Sequence, residues 1–303
     1  MVIGIDPKVD FAFKKMLGSP EHTAVTVHFL NAVFGGLPRI KSVEILNPIL
    51  DQETDDDKLA IVDVRAQDDQ GLMFNVEMQT AAETGLRQCL TYYAASLYAG
   101  QLHSGDAYHQ LRPAISICVL DAVLFPSVPD LHFDFRMRNG RHDLVLTDDL
   151  QVHFLELPKY NRGVRPLTAA SPVEKWAHLF RYGSEMTSEE IARLLVEAEF
   201  IEAAGVLEMI AQSPQERERY EARLKFERDQ IWRIKTAKDE GIQEGVAQGI
   251  EKGIERGKYL GQIPLLQSLL GLLETPSSEL ALMEPGELSN IASRLQTQLR
   301  DRR

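Results

Sequence analysis

Three polar residues on two neighbouring predicted strands are of the types that metal-assisted hydrolysis of a phosphate ester uses. Asp63 lies in the segment 59–66 (LAIVDVRA), and Glu77 and Gln79 lie in the segment 72–80 (LMFNVEMQT). Mg²⁺ is usually held by one or two carboxylates together with phosphate and water. A bound ion of this kind polarises a phosphate and lowers the pKa of a bound water. The residue types therefore favour Mg²⁺ chemistry, provided that the side chains meet on one side of a sheet.

The hydrophobic pattern of the two segments predicts that they do meet. Side chains alternate between the two faces of a strand, and each segment has one clean apolar face. The apolar residues of these faces are Ala60, Val62, Val64 and Ala66 in the first strand, and Leu72, Phe74, Val76 and Met78 in the second. A slip of one residue would send every side chain to the other face, so a hairpin must join the two apolar faces.

The two apolar faces meet only if the residue numbers of each cross-strand pair add up to an even number. A sum of 140 centres the turn on Gln70 and pairs Val64 with Val76. It also places Asp63 opposite Glu77, with Cβ atoms about 5 Å apart. A plain two-residue turn would instead send the acids to opposite faces.

Two carboxylates that face each other on a sheet repel, and this repulsion destabilises the pair. A divalent cation between them is the simplest compensation. The alternative that the spacing leaves open is a solvated sheet face with incidental acids.

The remaining pattern predicts an α/β fold followed by helices. Short apolar segments bounded by turn residues predict strands, and apolar residues at helical spacing predict helices. Asp6 is a candidate N-cap of the first helix. The predicted strands are 40–50, 59–66, 72–80, 113–125, 132–138 and 150–158; the predicted helices are 7–17, 21–34, 83–103, several over 172–235, and two or three short ones over 263–300 with breaks at Pro276 and Pro285; residues 51–58 are predicted to be an acidic loop.

Several segments resemble those of a known family. Besides Asp63 and Glu77-Met78-Gln79, the similar segments in chain order are DFAFKKML (10–17), RQCLTYYAASLY (87–98), FLELPKY (154–160) and the glycine series 241–261. Together they resemble the recombination-promoting nuclease (Rpn) or transposase family of the PD-(D/E)XK nuclease superfamily. The resemblance implies a restriction-endonuclease-like mixed sheet flanked by helices. It implies Mg²⁺-dependent cleavage of DNA as the activity, in the context of recombination, mobile elements or defence.

A change in composition near residue 170 divides the chain, and the resemblance assigns roles to residues. Residues 1–165 would form the nuclease-like domain, 166–240 a helical region, and 241–303 a glycine-repeat helix with a small helical end. Asp63 and Glu77 would hold the metal, and Gln79 would complete the catalytic set. Accessory roles would fall to Asp10 and Lys14, and contacts with DNA to Arg87, Tyr92 and Lys159.

Some of these assignments have structural alternatives. Arg87 and Tyr92 could equally pack their helix on the sheet, and Lys159 could pair with Glu156. Gln79 stands where most of the superfamily has lysine, and a neutral amide can orient water only through hydrogen bonds.

Six glycines recur at every fourth position, and helix-forming and charged residues fill the gaps between them. In a helix these glycines cost roughly 5–6 kcal/mol relative to alanine, so we expect compensation by close packing of two helices along the ridge. The sequence therefore predicts a packing or self-association helix, and the alternative is a mobile linker. The glycines are Gly241, Gly245, Gly249, Gly253, Gly257 and Gly261.

Composition limits the class of protein. The net charge of −12 argues against a passive coat on nucleic acid but allows an enzyme that touches DNA locally. No leader peptide or membrane-spanning segment is visible, so we expect a cytoplasmic protein without membrane partners. Two other classes stay open, namely a transposase-derived DNA-binding protein with a degenerate site and a helical assembly module.

Overall fold

A computed structural model of the chain describes residues 1–36, 39–46, 62–161, 163 and 166–302. The predicted acidic loop 51–58 lies outside these residues, as do the end of the predicted strand 40–50 and the start of the predicted strand 59–66. The described residues form two compact units, Met1–Phe226 and Glu227–Arg303.

The first unit contains a mixed sheet of six described strands in the order β1-β2-β3-β4-β6-β5. Strands β3, β4 and β6 are parallel neighbours, and the other pairs are antiparallel. The predicted α/β class is therefore confirmed. The bounds of the strands are β1 Val43–Leu46, β2 Val64–Asp68, β3 Met73–Gln79, β4 Ala114–Leu120, β5 His132–Arg138 and β6 Val145–Glu156.

The hairpin β2–β3 has the predicted register. Val64 pairs with Val76, so paired numbers sum to 140. The turn has an odd length, because the Asp68 N–H donates to the Leu72 carbonyl oxygen at 3.0 Å and three residues lie between them. Gly71 in this turn has φ +88°, a conformation that glycine adopts without strain. The Asp68 carboxylate stabilises the turn by accepting the backbone N–H groups of Gln70 and Leu72.

The described helices cover both faces of the sheet. The face with Val64, Val76 and Ile117 packs in one large cluster with α1, α2, α4 and α6. The opposite face packs against α3. The large cluster includes Trp176 and Phe200, so the helices after residue 165 share a core with the strands before it. The bounds are α1 Asp10–Leu17, α2 Thr23–Val33, α3 Leu86–Ala99, α4 Pro172–Tyr182, α5 Ser188–Leu194, α6 Ala198–Gln212, α7 Pro214–Leu269, α8 Ser277–Leu280 and α9 Pro285–Asp301.

The first helix begins later than predicted. Val9 is its N-cap, and no side chain caps it. Asp6 instead accepts the Lys8 N–H at 2.9 Å in the turn before the helix, so the prediction that Asp6 caps α1 is wrong. The reason is that its short carboxylate is already used by a local turn, two residues away.

The second unit has its own small core. Ile263 and Leu266 of α7, and Leu270 directly after it, pack against Leu288 and Leu295 of α9. The predicted breaks at Pro276 and Pro285 are present, since these prolines stand at the starts of α8 and α9. Helix α7 continues through Pro264 to Leu269, so the separate helix expected to begin at 263 is part of α7. None of the described helices combines the length and the apolar character that a membrane span needs.

Candidate active site

Asp63 and Glu77 lie side by side at the end of the β2–β3 hairpin. The backbone N–H of Asp63 donates to Glu77 Oε1 at 3.2 Å. In return, Asp63 Oδ2 accepts the backbone N–H of Met78 at 2.9 Å. Each carboxylate is therefore anchored to the backbone of the partner segment, and the two acids face the same region as the register predicted.

Helix α1 brings a lysine to this pair. Lys14 Nζ lies 3.1 Å from Asp63 Oδ1 and 2.7 Å from Asp10 Oδ1. Asp10 and Lys14 are four residues apart, so they share one face of the helix. Phe13 and Leu17 on the buried face dock α1 into the core. The opposite, polar face is thereby turned toward Asp63.

A second cation reaches the same helix from α7. Arg223 Nε lies 2.9 Å from Asp10 Oδ2. Asp10 is thus held between the guanidinium of Arg223 and the ammonium of Lys14. This pairing positions Lys14 rather than leaving Asp10 as a solvated acid.

Burial and mutual repulsion perturb the two strand acids. Burial and the neighbouring Asp63 charge raise the pKa of Glu77 to about 8. Burial also raises the pKa of Asp63, although the Met78 N–H and Lys14 act in the opposite direction. Burial works against the charge of Lys14, but Asp10 and Asp63 outweigh it and raise the lysine pKa. The site therefore has a deficit of positive charge, even with Lys14 in place.

This deficit fits a hard divalent cation. Carboxylate oxygens are its preferred donors, and water and phosphate usually complete its coordination. Within the described ranges, no group of three or more His, Cys, Asp and Glu side chains is arranged as a complete metal-binding cluster. The residues thus fit a site in which the protein supplies Asp63 and Glu77 and leaves the other positions to water and substrate.

Gln79 ends strand β3 and is partly buried. By strand alternation its side chain lies on the same side as that of Glu77. Its backbone carbonyl accepts the Asp121 N–H at 2.8 Å, which extends the anchoring of this strand end. A neutral amide thus ends β3 on the side of the sheet that Glu77 faces.

The two residues predicted on α3 are accessible. Arg87 is exposed, and 43% of the Tyr92 surface is exposed. Sequence reasoning missed the next residue, Tyr93, which packs under the sheet. Burial, Cys89 and then the charges of Glu77 and Asp63 raise the pKa of Tyr93. The sequence did contain a signal for Tyr93. Adjacent residues of a helix point to different sides, so Tyr92 and Tyr93 cannot both face solvent in the same direction.

The Lys159 side chain is largely buried. Its ammonium lies 2.7 Å from Glu156 Oε2, and the two side chains are 8% and 0% exposed. It also donates to the carbonyl oxygens of Phe125 and Val128 and lies over the ring of Phe133. The structure has the alternative in which Glu156 and Lys159 pair, and a contact of Lys159 with DNA stays a prediction. The physical reason is the short helical turn Leu157–Lys159, which folds the lysine back over β6.

The mixed sheet with helices on both faces and a paired acid at the end of a central hairpin define a PD-(D/E)XK-type α/β protein. The chain matches a family model described as PD-(D/E)XK nuclease family transposase over residues 7–237. The match spans well over half of the chain, so the protein belongs to this family, and the resemblance stated from the sequence is confirmed. No curated protein and no solved structure gives a significant match.

Proposed function

We propose that the protein is a Mg²⁺-dependent DNA endonuclease that acts in the cytoplasm, linked to recombination, mobile elements or defence. The observation that carries the proposal is that Asp63 lies within hydrogen-bonding distance of both Glu77 and Lys14. Membership of the family supports hydrolysis of nucleic acid as the reaction class.

In this proposal Asp63 and Glu77 hold the cation. When bound, Mg²⁺ would supply polarisation of the scissile phosphate and a water of lowered pKa. The Gln79 amide would orient the attacking water by hydrogen bonds. Lys14 would place its charge next to the phosphate oxygens, and Asp10 and Arg223 would hold Lys14 in position.

Arg87 and Tyr92 are proposed to contact the DNA backbone. Both are accessible on α3, the helix that covers the Glu77 face of the sheet. The contact would be local, since a chain of net charge −12 has no general affinity for polyphosphate.

A transposase-derived DNA-binding protein with a degenerate site is the second candidate. The observation that favours it is Gln79 in the position of the usual lysine. A second observation in its favour is the ion pair of Lys14 with Asp63. The lysine already supplies part of the positive charge that a metal would bring.

A plasmid-nicking assay separates the two candidates. The full chain would be incubated with supercoiled plasmid in Mg²⁺ or in EDTA, beside Asp63→Ala and the matched control Asp69→Ala. Asp69 is an exposed acid at the tip of the same hairpin. We expect nicking only in Mg²⁺, a loss of about a hundredfold or more in Asp63→Ala, and little change in Asp69→Ala. Equal nicking by Asp63→Ala would remove the site, and DNA binding without any nicking would favour the second candidate.

We also propose self-association through the glycine repeat of α7. The six glycines lie inside this helix, and a Cβ atom added to any of them would meet no described atom within 4 Å. Each of the first four glycines is followed by an exposed aliphatic residue, namely Ile242, Val246, Ile250 and Ile254. Ridges at a spacing of four residues pack best at a crossing angle of about −50°. The expected contact between two copies is therefore a short crossing and not an extended coiled coil.

A further inference from the structure

A cavity of about 590 Å³ opens between the end of α2 and the strands β5 and β6. Its volume lies in the range that small-molecule sites occupy, roughly 300–1,000 Å³. It shares no lining residue with the Asp63–Glu77 site. A ligand of this cavity is therefore independent of the proposed nuclease activity.

A directed chain of hydrogen bonds forms one wall of this cavity. Gln151 Nε2 donates to the Asp148 carbonyl oxygen at 2.7 Å, which turns the amide oxygen toward His153. His153 Nε2 lies 3.1 Å from that oxygen and must donate to it, so Nδ1 of the same ring is an acceptor. His132 Nε2 lies 3.0 Å from this Nδ1 and donates to it. The acceptor end of the chain is therefore Nδ1 of His132, on a residue that lines the cavity.

Both imidazoles are neutral in this arrangement. His153 is 1% exposed, and burial followed by the neighbouring His132 lowers its pKa to about 3. Burial lowers the pKa of His132 as well. The tautomers are thus set by the chain of hydrogen bonds and remain the same at neutral pH.

The charged residues that line the cavity have a net charge of one negative unit. Arg136 bridges Asp134 and Asp148, with Nη1 of the guanidinium 2.7 Å from Asp148 Oδ1 and Nη2 3.0 Å from Asp134 Oδ2. Two carboxylates face one guanidinium, and the histidines add no charge. The polar wall therefore offers acceptors and repels anions, including phosphate.

The rest of the lining is apolar and partly aromatic. Phe34 stands edge-on to His153, with the ring centroids 5.2 Å apart. Leu72, Pro113 and Ile115 complete this side. Flat apolar surfaces of this kind favour planar rings.

We propose that this cavity binds an uncharged planar heterocycle that carries amino groups, of the aminopurine class. The ring lies against Phe34 and the apolar wall. Its amino and ring N–H groups donate to His132 Nδ1 and to the carboxylate of Asp134. The negative charge excludes the corresponding nucleotides, so the site takes a base and not a phosphorylated fragment of nucleic acid.

The probe for a first test is 2-aminopurine, whose fluorescence is quenched on stacking. The full chain would be titrated with 2-aminopurine, and unsubstituted purine and 2-aminopurine riboside monophosphate would be tested as competitors. We expect saturable quenching, with both competitors weaker by about tenfold, since each lacks a donor or adds a repelled charge. Absence of saturable quenching, or displacement by the competitors at equal concentration, would overturn the proposal.

Two variants and one spectroscopic measurement localise the binding. Asp134→Asn should weaken binding of 2-aminopurine by about tenfold. Asp143→Asn is the matched control, because Asp143 pairs with Arg138 on the same hairpin at 86% side-chain exposure; its binding should stay within about twofold. On the unmodified chain, side-chain ¹⁵N spectra should show His132 Nδ1 shifting on saturation. Binding that leaves this nitrogen unchanged, or that responds equally to both variants, would place the ligand elsewhere and sink the inference.

Discussion

The backbone N–H of Asp63 donates to Oε1 of Glu77, and this 3.2 Å contact places two buried carboxylates side by side at the end of one hairpin. The contact follows from the three-residue turn at Gly71, which sets the register of the strands. Burial and then the neighbouring Asp63 charge raise the pKa of Glu77, although the Asp63 N–H acts in the opposite direction.

Glu77→Gln should stabilise the metal-free protein at alkaline pH. The pKa of Glu77 is about 8 in the folded chain, above its ordinary value of 4.5. The folded state therefore holds a proton that the unfolded state releases, and the free energy of unfolding falls as pH rises from about 4.5 to about 8. Above that window the cost of the buried charge is fully present. In EDTA at pH 8.5 the variant should melt at a higher temperature than the unmodified chain.

Melting curves between pH 5 and pH 9, with and without Mg²⁺, would measure this effect. Glu83→Gln, which changes an exposed acid after β3, is the control and should follow the unmodified chain. Mg²⁺ should raise the melting temperature of the unmodified chain more at pH 8 than at pH 6, because the ion displaces the proton. A melting temperature of the unmodified chain that rises from pH 5 to pH 8 would contradict the assignment.

Lys14→Gln should reduce nicking by about tenfold or more without weakening the affinity for Mg²⁺. The ammonium that stands 3.1 Å from Asp63 is lost, while the carboxylates that would hold the ion remain. Nicking rates and isothermal titration with Mg²⁺ give the two quantities separately. Lys15→Gln is the matched control, because Lys15 is the next residue and contacts Glu216 instead. Equal losses of nicking in both variants would show that the activity depends on the helix and not on the charge of Lys14.

Gln79→Lys should raise activity near pH 7 and move the rising limb of the pH–rate profile to lower pH. A lysine on the same side of β3 as Glu77 would favour the ionised form of that acid and lower its pKa. Gln79→Ala provides the comparison without a charge and should lose activity. The pH–rate profiles of both variants from pH 6 to pH 9 would measure these effects. A Gln79→Lys enzyme slower than Gln79→Ala would show that the neutral amide itself is required.

Gly249→Ala should stabilise helix α7 by roughly 1 kcal/mol within one copy, because its Cβ would meet no described atom. The same methyl group should weaken a contact between two copies, since it keeps the glycine ridges apart. Sedimentation equilibrium over a range of concentrations would measure the association. Gly205→Ala in α6 is the control, as another helical glycine with open space around its Cβ position. An unmodified chain that stays monomeric throughout would remove the proposed contact.

Much of the fold was predictable because strand and helix patterns are local. The alternation of apolar residues predicted the hairpin, its register and the proximity of Asp63 to Glu77. The glycine repeat contained enough helix-forming residues for a helix, and the structure continues α7 through all of it.

Other features were not predictable from local pattern. The sequence left open whether Lys159 contacts DNA or pairs with Glu156, and the turn after β6 brings it to Glu156. The histidines at 132 and 153 are 21 residues apart and have no spacing typical of ligands, yet adjacent strands place them in contact. Tyr93 is near the acids only because α3 packs across the sheet on that side.

The sequence by itself determined which residues of β2 and β3 share a face, since the side-chain period of two leaves one register that buries both apolar faces. Val62 was predicted on the face of Val64 but lies before β2, outside the alternation, and packs with Met73 on the α3 side. The tertiary structure alone decided what surrounds these residues. The packing of α1 brings Lys14 to Asp63, and the packing of α7 brings Arg223 to Asp10. Asp63 and Glu77 were thus predictable as a pair, because their proximity is a local consequence of one turn. Their raised pKa values depend on burial and on charges from distant segments, which no local pattern contains.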